Sequence, residues 1–280
     1  MEEIKNAEYA GERPLFARHD PRLVNVHIGL GESALKRCSN IDAEECVFEG
    51  KYPFWHVDRF SVDRCRFTVG ARAALWYSRG CRMTDCIVDA PKMFREMDGI
   101  DVCRTDFPDG EEMFWHCSNV KLRNVKISRC DYLFMHSSDI DIAEYEQHGN
   151  YSFQYCKNVN IANAVIHSKD AFWATENVTV RDTELHGEYL GWHSKNLTLI
   201  NCHIAGTQPL CYCKNLKLVD CTFGDDADLA FEETTIEAMV KSPMVSIKNP
   251  TSGIIRVPAV GEIILDENIQ APADCRIIVE

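Results

Sequence analysis

Carboxylates, cations and aromatic rings recur in this chain as neighbours, in the pairs Lys51-Tyr52, Glu111-Glu112, Asp131-Tyr132, Asn150-Tyr151, Lys169-Asp170 and Glu188-Tyr189, with Arg72 and Lys92 at related positions. Two carboxyl groups flanking a glycosidic bond can serve as acid and base, or as acid and nucleophile, and their separation sets the stereochemical outcome. That chemistry makes Asp131, Asp170 and Glu188 candidate catalytic residues. Lys169 joins them, because β-elimination at a uronic acid uses a Lys or Arg as base while a cation neutralises the carboxylate. Lys51, Arg72 and Lys92 could hold an acidic sugar, and Tyr132, Tyr151, Tyr189, Trp173, Trp192 and His193 could supply rings and polar edges to it. The residues do not choose between hydrolysis and elimination. A plainer reading stands beside this one: a Trp at a fixed strand position commonly fills a core, and a Lys beside an Asp is commonly a solvated surface.

These residues owe their alignment to an internal repeat. Anchor positions, mostly Asn or Asp, recur every nineteen to twenty-one residues at Asp20, Asn40, Arg59, Gly80, Gly99, Asn119, Asp139, Asn158, Asn177, Asn196 and Asn215. Such residues tolerate left-handed backbone and suit turns. One and three residues after each anchor run two apolar columns, Ile41 to Leu216 and Ala43 to Leu218, with the period of two that marks one face of a strand. Six and eight after come two more, the first rich in cysteine (Cys46, Cys65, Cys86, Cys202, Cys221) and the second in Phe and Ile. The inward parity changes between the third and sixth positions, so a corner must separate two short strands. A third apolar patch, marked by Trp55, Trp76, Trp115, Trp173 and Trp192, ends four residues before the next anchor.

Three short strands per coil predict an all-β, single-domain right-handed parallel β-helix of about 10–12 coils of 19–21 residues, with neighbouring coils about 4.8 Å apart. Residues 1–39 would form an N-terminal cap and first coil, 40–234 the regular coils, and 235–280 irregular C-terminal coils or a cap, in one continuous domain. Asp225 to Lys241 could form a short helix. A left-handed hexapeptide helix would need eighteen residues per coil, and the five-residue rhythm of a pentapeptide-repeat helix fails in the second half of every coil.

Most of the fourteen cysteines read as buried thiols, since a free Cys packs as a small apolar residue. Only Cys211 and Cys213 approach a paired zinc-ligand motif. His148, His167 and His186 each lie nine residues after an anchor and should stack on the surface. Three members of such a column span about 10 Å, too far for one metal ion, so no metal and no cofactor are expected.

The stretches Arg13 to Asp20, Ala171 to Val178 and Gly187 to Trp192 resemble a microbial family catalogued as domain of unknown function 3737, and the likeness covers nearly the whole chain. The resemblance implies a pectate-lyase-like right-handed β-helix and assigns no catalytic residues.

A net charge of -13 opposes broad binding to nucleic acid or to an anionic membrane, and the sequence has neither a signal-peptide core nor eighteen successive apolar residues. A cytoplasmic protein with an oligosaccharide ligand is the leading expectation. The alternative is a non-enzymatic scaffold whose aromatic flank contacts another protein or a second copy of the chain. A DNA-mimicking solenoid would need an axial stripe of carboxylates, which the alternation of signs does not supply.

Overall fold

The computed structural model describes residues 2–266 and 274–280. The chain divides into two compact units, Met1–Glu146 and Gln147–Glu280. Each is a parallel β-solenoid, and a single 3₁₀ turn, Val69–Ala71, is the only helix among the described residues.

All eleven anchors adopt left-handed backbone, with φ from 53° at Asn40 to 75° at Gly99. Asn and Asp visit this region by bonding locally, and glycine does so without a Cβ penalty. Side-chain amides then link anchor to anchor across coils: Asn177 donates to Asn158 (3.2 Å), Asn196 to Asn177 (2.8 Å) and Asn215 to Asn196 (2.8 Å). Arg59, the one basic anchor, enters the same ladder by donating from Nε to Asn40 Oδ1 at 2.9 Å.

Strands follow the anchors in register. In the first unit Ile41, Phe60, Cys81, Ile100 and Val120 are successive parallel partners, and in the second Val159, Val178 and Leu197 are. Every member of the two columns after the anchor, from Ile41 to Leu216 and from Ala43 to Leu218, is buried. The expected corner is present: the residue five after each anchor, such as Arg64, Asp85, Asn163 or Asn201, is again left-handed. One left-handed residue rotates the chain enough to return position six to the core. In Asp98–Phe107 and Ser118–Ile127 the ladder passes through this bend as one strand.

The cysteine column has a specific task at that corner. The bend leaves the backbone N–H of position six without a strand partner, and a buried orphan donor is costly. Cys46 N–H donates instead to Cys65 Sγ (3.3 Å), Cys65 N–H to Cys86 Sγ (3.4 Å) and Cys86 N–H to Thr105 Oγ1 (3.3 Å). Each thiol in turn donates to a carbonyl of the preceding coil or of its own, as Cys65 Sγ does to Ala43 O and Asp63 O. Thr105 and Thr183 occupy the same position with a hydroxyl. A second ladder of Ser, Thr and Cys lies two residues before the anchors, where Ser78 and Ser137 accept from Val57 and Cys117 N–H. All fourteen cysteines are free thiols and twelve are buried.

The third side departs from the expected strand. It is a run of turns in which the residues seven and three before each anchor are left-handed, joined from Asn119 onward by the residue five before it, as in Asp170, Phe172 and Ala174. Its backbone still bonds coil to coil: Asp170 N–H donates to Glu188 O, Phe172 N–H to Ser152 O and Ala174 N–H to Trp192 O, at 2.8–2.9 Å. The inward residue is the one five before each anchor, which precedes Trp where the column holds one. Phe54, Leu75, Phe94, Phe114 and Phe134 in the first unit, and Phe153 and Phe172 in the second, are fully buried and largely stacked. The tryptophans therefore do not fill the core; they lie half-buried on its outer surface.

The chain also departs from expectation near its end. The segment suggested as a helix holds the strand Thr235–Val240, paired in parallel with Leu216–Phe223. Ile236, Ala238 and Val240 are buried while their neighbours are exposed, so alternation overrides the helix preference of Ala and Met. Ser252–Val257 and Asp274–Val279 extend the same ladder. At the other end Glu2–Lys5 already pairs with Pro21–Val24.

Candidate functional site

The third side of each unit carries the residues singled out for chemistry, and the two must be described separately. In the first unit Lys51 and Arg72 are exposed, and neither forms an ion pair among the described residues. Lys92 does: its Nζ lies 3.1 Å from Glu112 Oε2, which also takes Arg95 at 3.4 Å. Trp55 and Trp76 stack with centroids 6.0 Å apart and planes 10° from parallel. Lys36 sits over the free face of Trp55 at 5.5 Å. Arg95 is inserted between Trp76 and Trp115, 4.3 and 4.4 Å from their centres. Each indole N–H is also committed, donating to a carbonyl of the next coil: Trp55 to Ala73, Trp76 to Lys92 and Trp115 to Tyr132.

Trp55 and Trp76 thus have their faces covered by each other and by cations, and Trp115 lends a face to Arg95. Little ring surface is left for a sugar. Lys36 and Arg95 escaped the sequence reading although both lie four residues before an anchor, as the tryptophans do. Reading that column by position rather than by residue type would have found them. Asp131 and Tyr132 also belong to this unit; both are exposed, and Glu112 N–H donates to Asp131 O at 2.9 Å.

In the second unit the structure brings Lys169, Asp170 and Glu188 together. Lys169 Nζ is 3.3 Å from Glu188 Oε2 and 5.2 Å from the centre of the Tyr189 ring. The Glu188 hydrogen bond pushes the Lys169 amine above its ordinary range, which suits it to holding an anionic group rather than abstracting a proton. Burial raises the Asp170 carboxyl, with Lys169 opposing and Glu188 assisting. Beside this group Trp192 meets Tyr189 edge-on at 4.9 Å and Trp173 at 5.4 Å with a 33° tilt. His193 stacks on Tyr212 (4.9 Å), the Tyr212 hydroxyl donates to Glu232 Oε2 (3.3 Å), and the other oxygen of that carboxylate, Oε1, lies 2.8 Å from Lys248 Nζ. Burial, then the nearby Glu232 charge, pushes the Tyr212 phenol up to about 12. Tyr212, Glu232 and Lys248 were not among the expected site residues; Lys248 falls beyond the regular coils that the repeat marks out in the sequence. Tyr151 is half-buried in this unit, with its N–H donating to Lys169 O at 2.8 Å.

The histidine column stacks as expected. His148, His167 and His186 have parallel rings 4.7 and 4.5 Å apart, and His203 continues the row at 6.0 Å with a tilt. Cys211 and Cys213 are buried, and their thiols donate to separate carbonyls, Leu229 O and Gly191 O among them.

Residues 2–278 match the family described as "Protein of unknown function (DUF3737)". The chain belongs to the DUF3737 family. No curated protein matches it. Among solved structures, this DUF3737 chain is similar to a tailspike protein mutant of E. coli bacteriophage HK620 in complex with a hexasaccharide, at 11% identity and TM-score 0.28, covering 94% of this chain and 66% of that one. It is also similar to the catalytic domain of a GH87 alpha-1,3-glucanase in complex with tetrasaccharides, at 9% identity and TM-score 0.27, covering 99% of this chain and 63% of that one. The DUF3737 chain therefore spans less than two thirds of the length of either.

Proposed function

We propose that the third side of the second unit binds an oligosaccharide and that its carboxyl groups act on a glycosidic bond. The observation that carries this reading is the juxtaposition of Asp170, raised by burial, with a Lys169–Glu188 ion pair. A carboxyl that keeps its proton can protonate a leaving oxygen, while the carboxylate held by Lys169 stays ionised for the opposite role. Trp173, Trp192 and His193 border the pair and supply ring surface over which no cation lies among the described residues, while the Tyr189 ring carries Lys169 over it. Lys169 is a binding group here, and elimination with Lys169 as base is the less favoured chemistry. Asp131 belongs to the first unit and has no part in this pair. Lys51, Arg72, Lys92 and Tyr132 likewise lie outside it.

The test is a screen of neutral and acidic oligosaccharides by calorimetry, followed by variants. Trp192→Ala should weaken a saturable ligand about tenfold or more, and Asp170→Asn should abolish bond cleavage while leaving binding in place. Binding indifferent to Trp192, or cleavage that survives Asp170→Asn, would sink the assignment.

A further inference from the structure

Part of the third side of the first unit carries a charge opposite to that of the chain as a whole. Along residues 31–97 it presents Lys36, Arg37, Lys51, Arg72, Lys92 and Arg95 against the carboxylates Glu32 and Glu96, in a molecule of net charge -13. Lys92 and Arg95 share Glu112, but Lys36, Arg37, Lys51 and Arg72 have no carboxylate within ion-pair distance among the described residues. Aromatic rings lie among these cations: Tyr77 is 39% exposed and stacked on the exposed His56, and Tyr52 packs at 4.4 Å on Trp55. Tyr, Trp and Arg are the residues that carry binding energy at protein interfaces, while the covered indole faces leave no platform for stacking bases or sugars.

The complementary surface is in the same sequence. In the second unit the turn after Phe223 and the third side that follows expose Asp225, Asp226 and Glu233, none with an ion-pair partner among the described residues. We infer that the basic aromatic face of the first unit is an association surface for a second copy of this chain, whose acidic turn at Asp225, Asp226 and Glu233 it receives. Opposite potentials steer such encounters and select register. The surface involves none of Asp170, Glu188 or Trp192, so it stands apart from the glycan-binding reading.

Sedimentation velocity of the full chain across a concentration series should reveal self-association that weakens as salt rises, because exposed charges are screened. Lys51→Glu with Arg72→Glu, and separately Asp225→Lys with Asp226→Lys, should each raise the dissociation constant about tenfold or more. Mixing the two charge-reversed proteins should restore association, since the reversed faces match again. Lys51→Gln with Arg72→Gln is the milder substitute if a reversal disturbs folding, and should weaken association in the same direction. A wild-type chain that stays monomeric at every concentration overturns the inference, as does association that ignores both reversals or a mixture that fails to recover. A monomer that instead captures a polyanion such as heparin on Lys51 and Arg72 also overturns it.

Discussion

One column of residues, four before each anchor, is used in two ways by the two units. In the first unit it intersperses cations among indoles, so that Lys36, the flat-stacked pair Trp55 and Trp76, Arg95 and Trp115 form a continuous ladder. In the second, Trp173 and Trp192 are adjacent with no cation between them, and they tilt by 33° instead of stacking flat. The layer beneath differs in step. Phe114 lies between Phe94 at 4.4 Å and Phe134 at 4.6 Å, whereas Phe172 has Phe153 on one side and Gly191 at the same position on the other. At Gly191, φ is 73° and an added Cβ would meet Leu210 Cδ2 at 2.9 Å, so backbone conformation and space both keep that place for glycine. The comparison teaches that a column's chemistry is set by what occupies the neighbouring coil. Closed ladders consume ring faces, and interrupted ones leave them available.

The strongest way to break this contrast is to empty the core beneath it. Phe114→Ala should cost about 3–5 kcal/mol in denaturant unfolding. Phe172→Ala should cost less, by about 0.5–1.5 kcal/mol for the absent second aromatic neighbour. Equal losses would mean that stacking along the column contributes nothing beyond burial.

A smaller effect is expected from Arg95→Met, which keeps an apolar stem and removes the guanidinium between the two indoles. The two cation–π contacts should be worth about 0.5–2 kcal/mol together, and tryptophan emission should change because Trp76 and Trp115 lose their shared neighbour. Unchanged thermal stability and emission would show that the ladder is incidental.

The smallest effect sharpens the second side of the comparison. Because burial raises the folded-state pKa of Asp170, the stability this carboxyl contributes is fully present below its unfolded pKa and is lost as pH rises through the folded one. Asp170→Asn should therefore be slightly more stable than wild type at neutral pH. The two melting curves should converge as the solution is acidified below the ordinary aspartate range. A variant less stable than wild type at neutral pH would indicate that attraction to Lys169 outweighs burial.

Much of the architecture was legible because its causes are local in the chain. Anchors of Asn, Asp and Gly mark left-handed turns by their own backbone preferences, and all eleven adopt them. The parity switch required a corner, and the corner is there. The third side was harder to read, since alternating left-handed residues such as Asp170, Phe172 and Ala174 leave no strand-like pattern. Trp is also a more conspicuous marker than the Phe or Leu before it that fills the core. The candidate site was legible residue by residue but not as a group: Lys169, Asp170 and Glu188 could be placed in columns, while the pairing of Lys169 with Glu188 could not.

The sequence by itself determined the period, the turns and the inward columns, because each follows from conformational preferences and alternation within one coil. Only the tertiary structure decided that thiols accept the corner N–H groups, that Arg95 parts two tryptophans, and that burial raises Asp170 beside an ion pair. Those outcomes depend on contacts that run across the coils, between residues about twenty apart in sequence but stacked at the interstrand distance of about 4.8 Å.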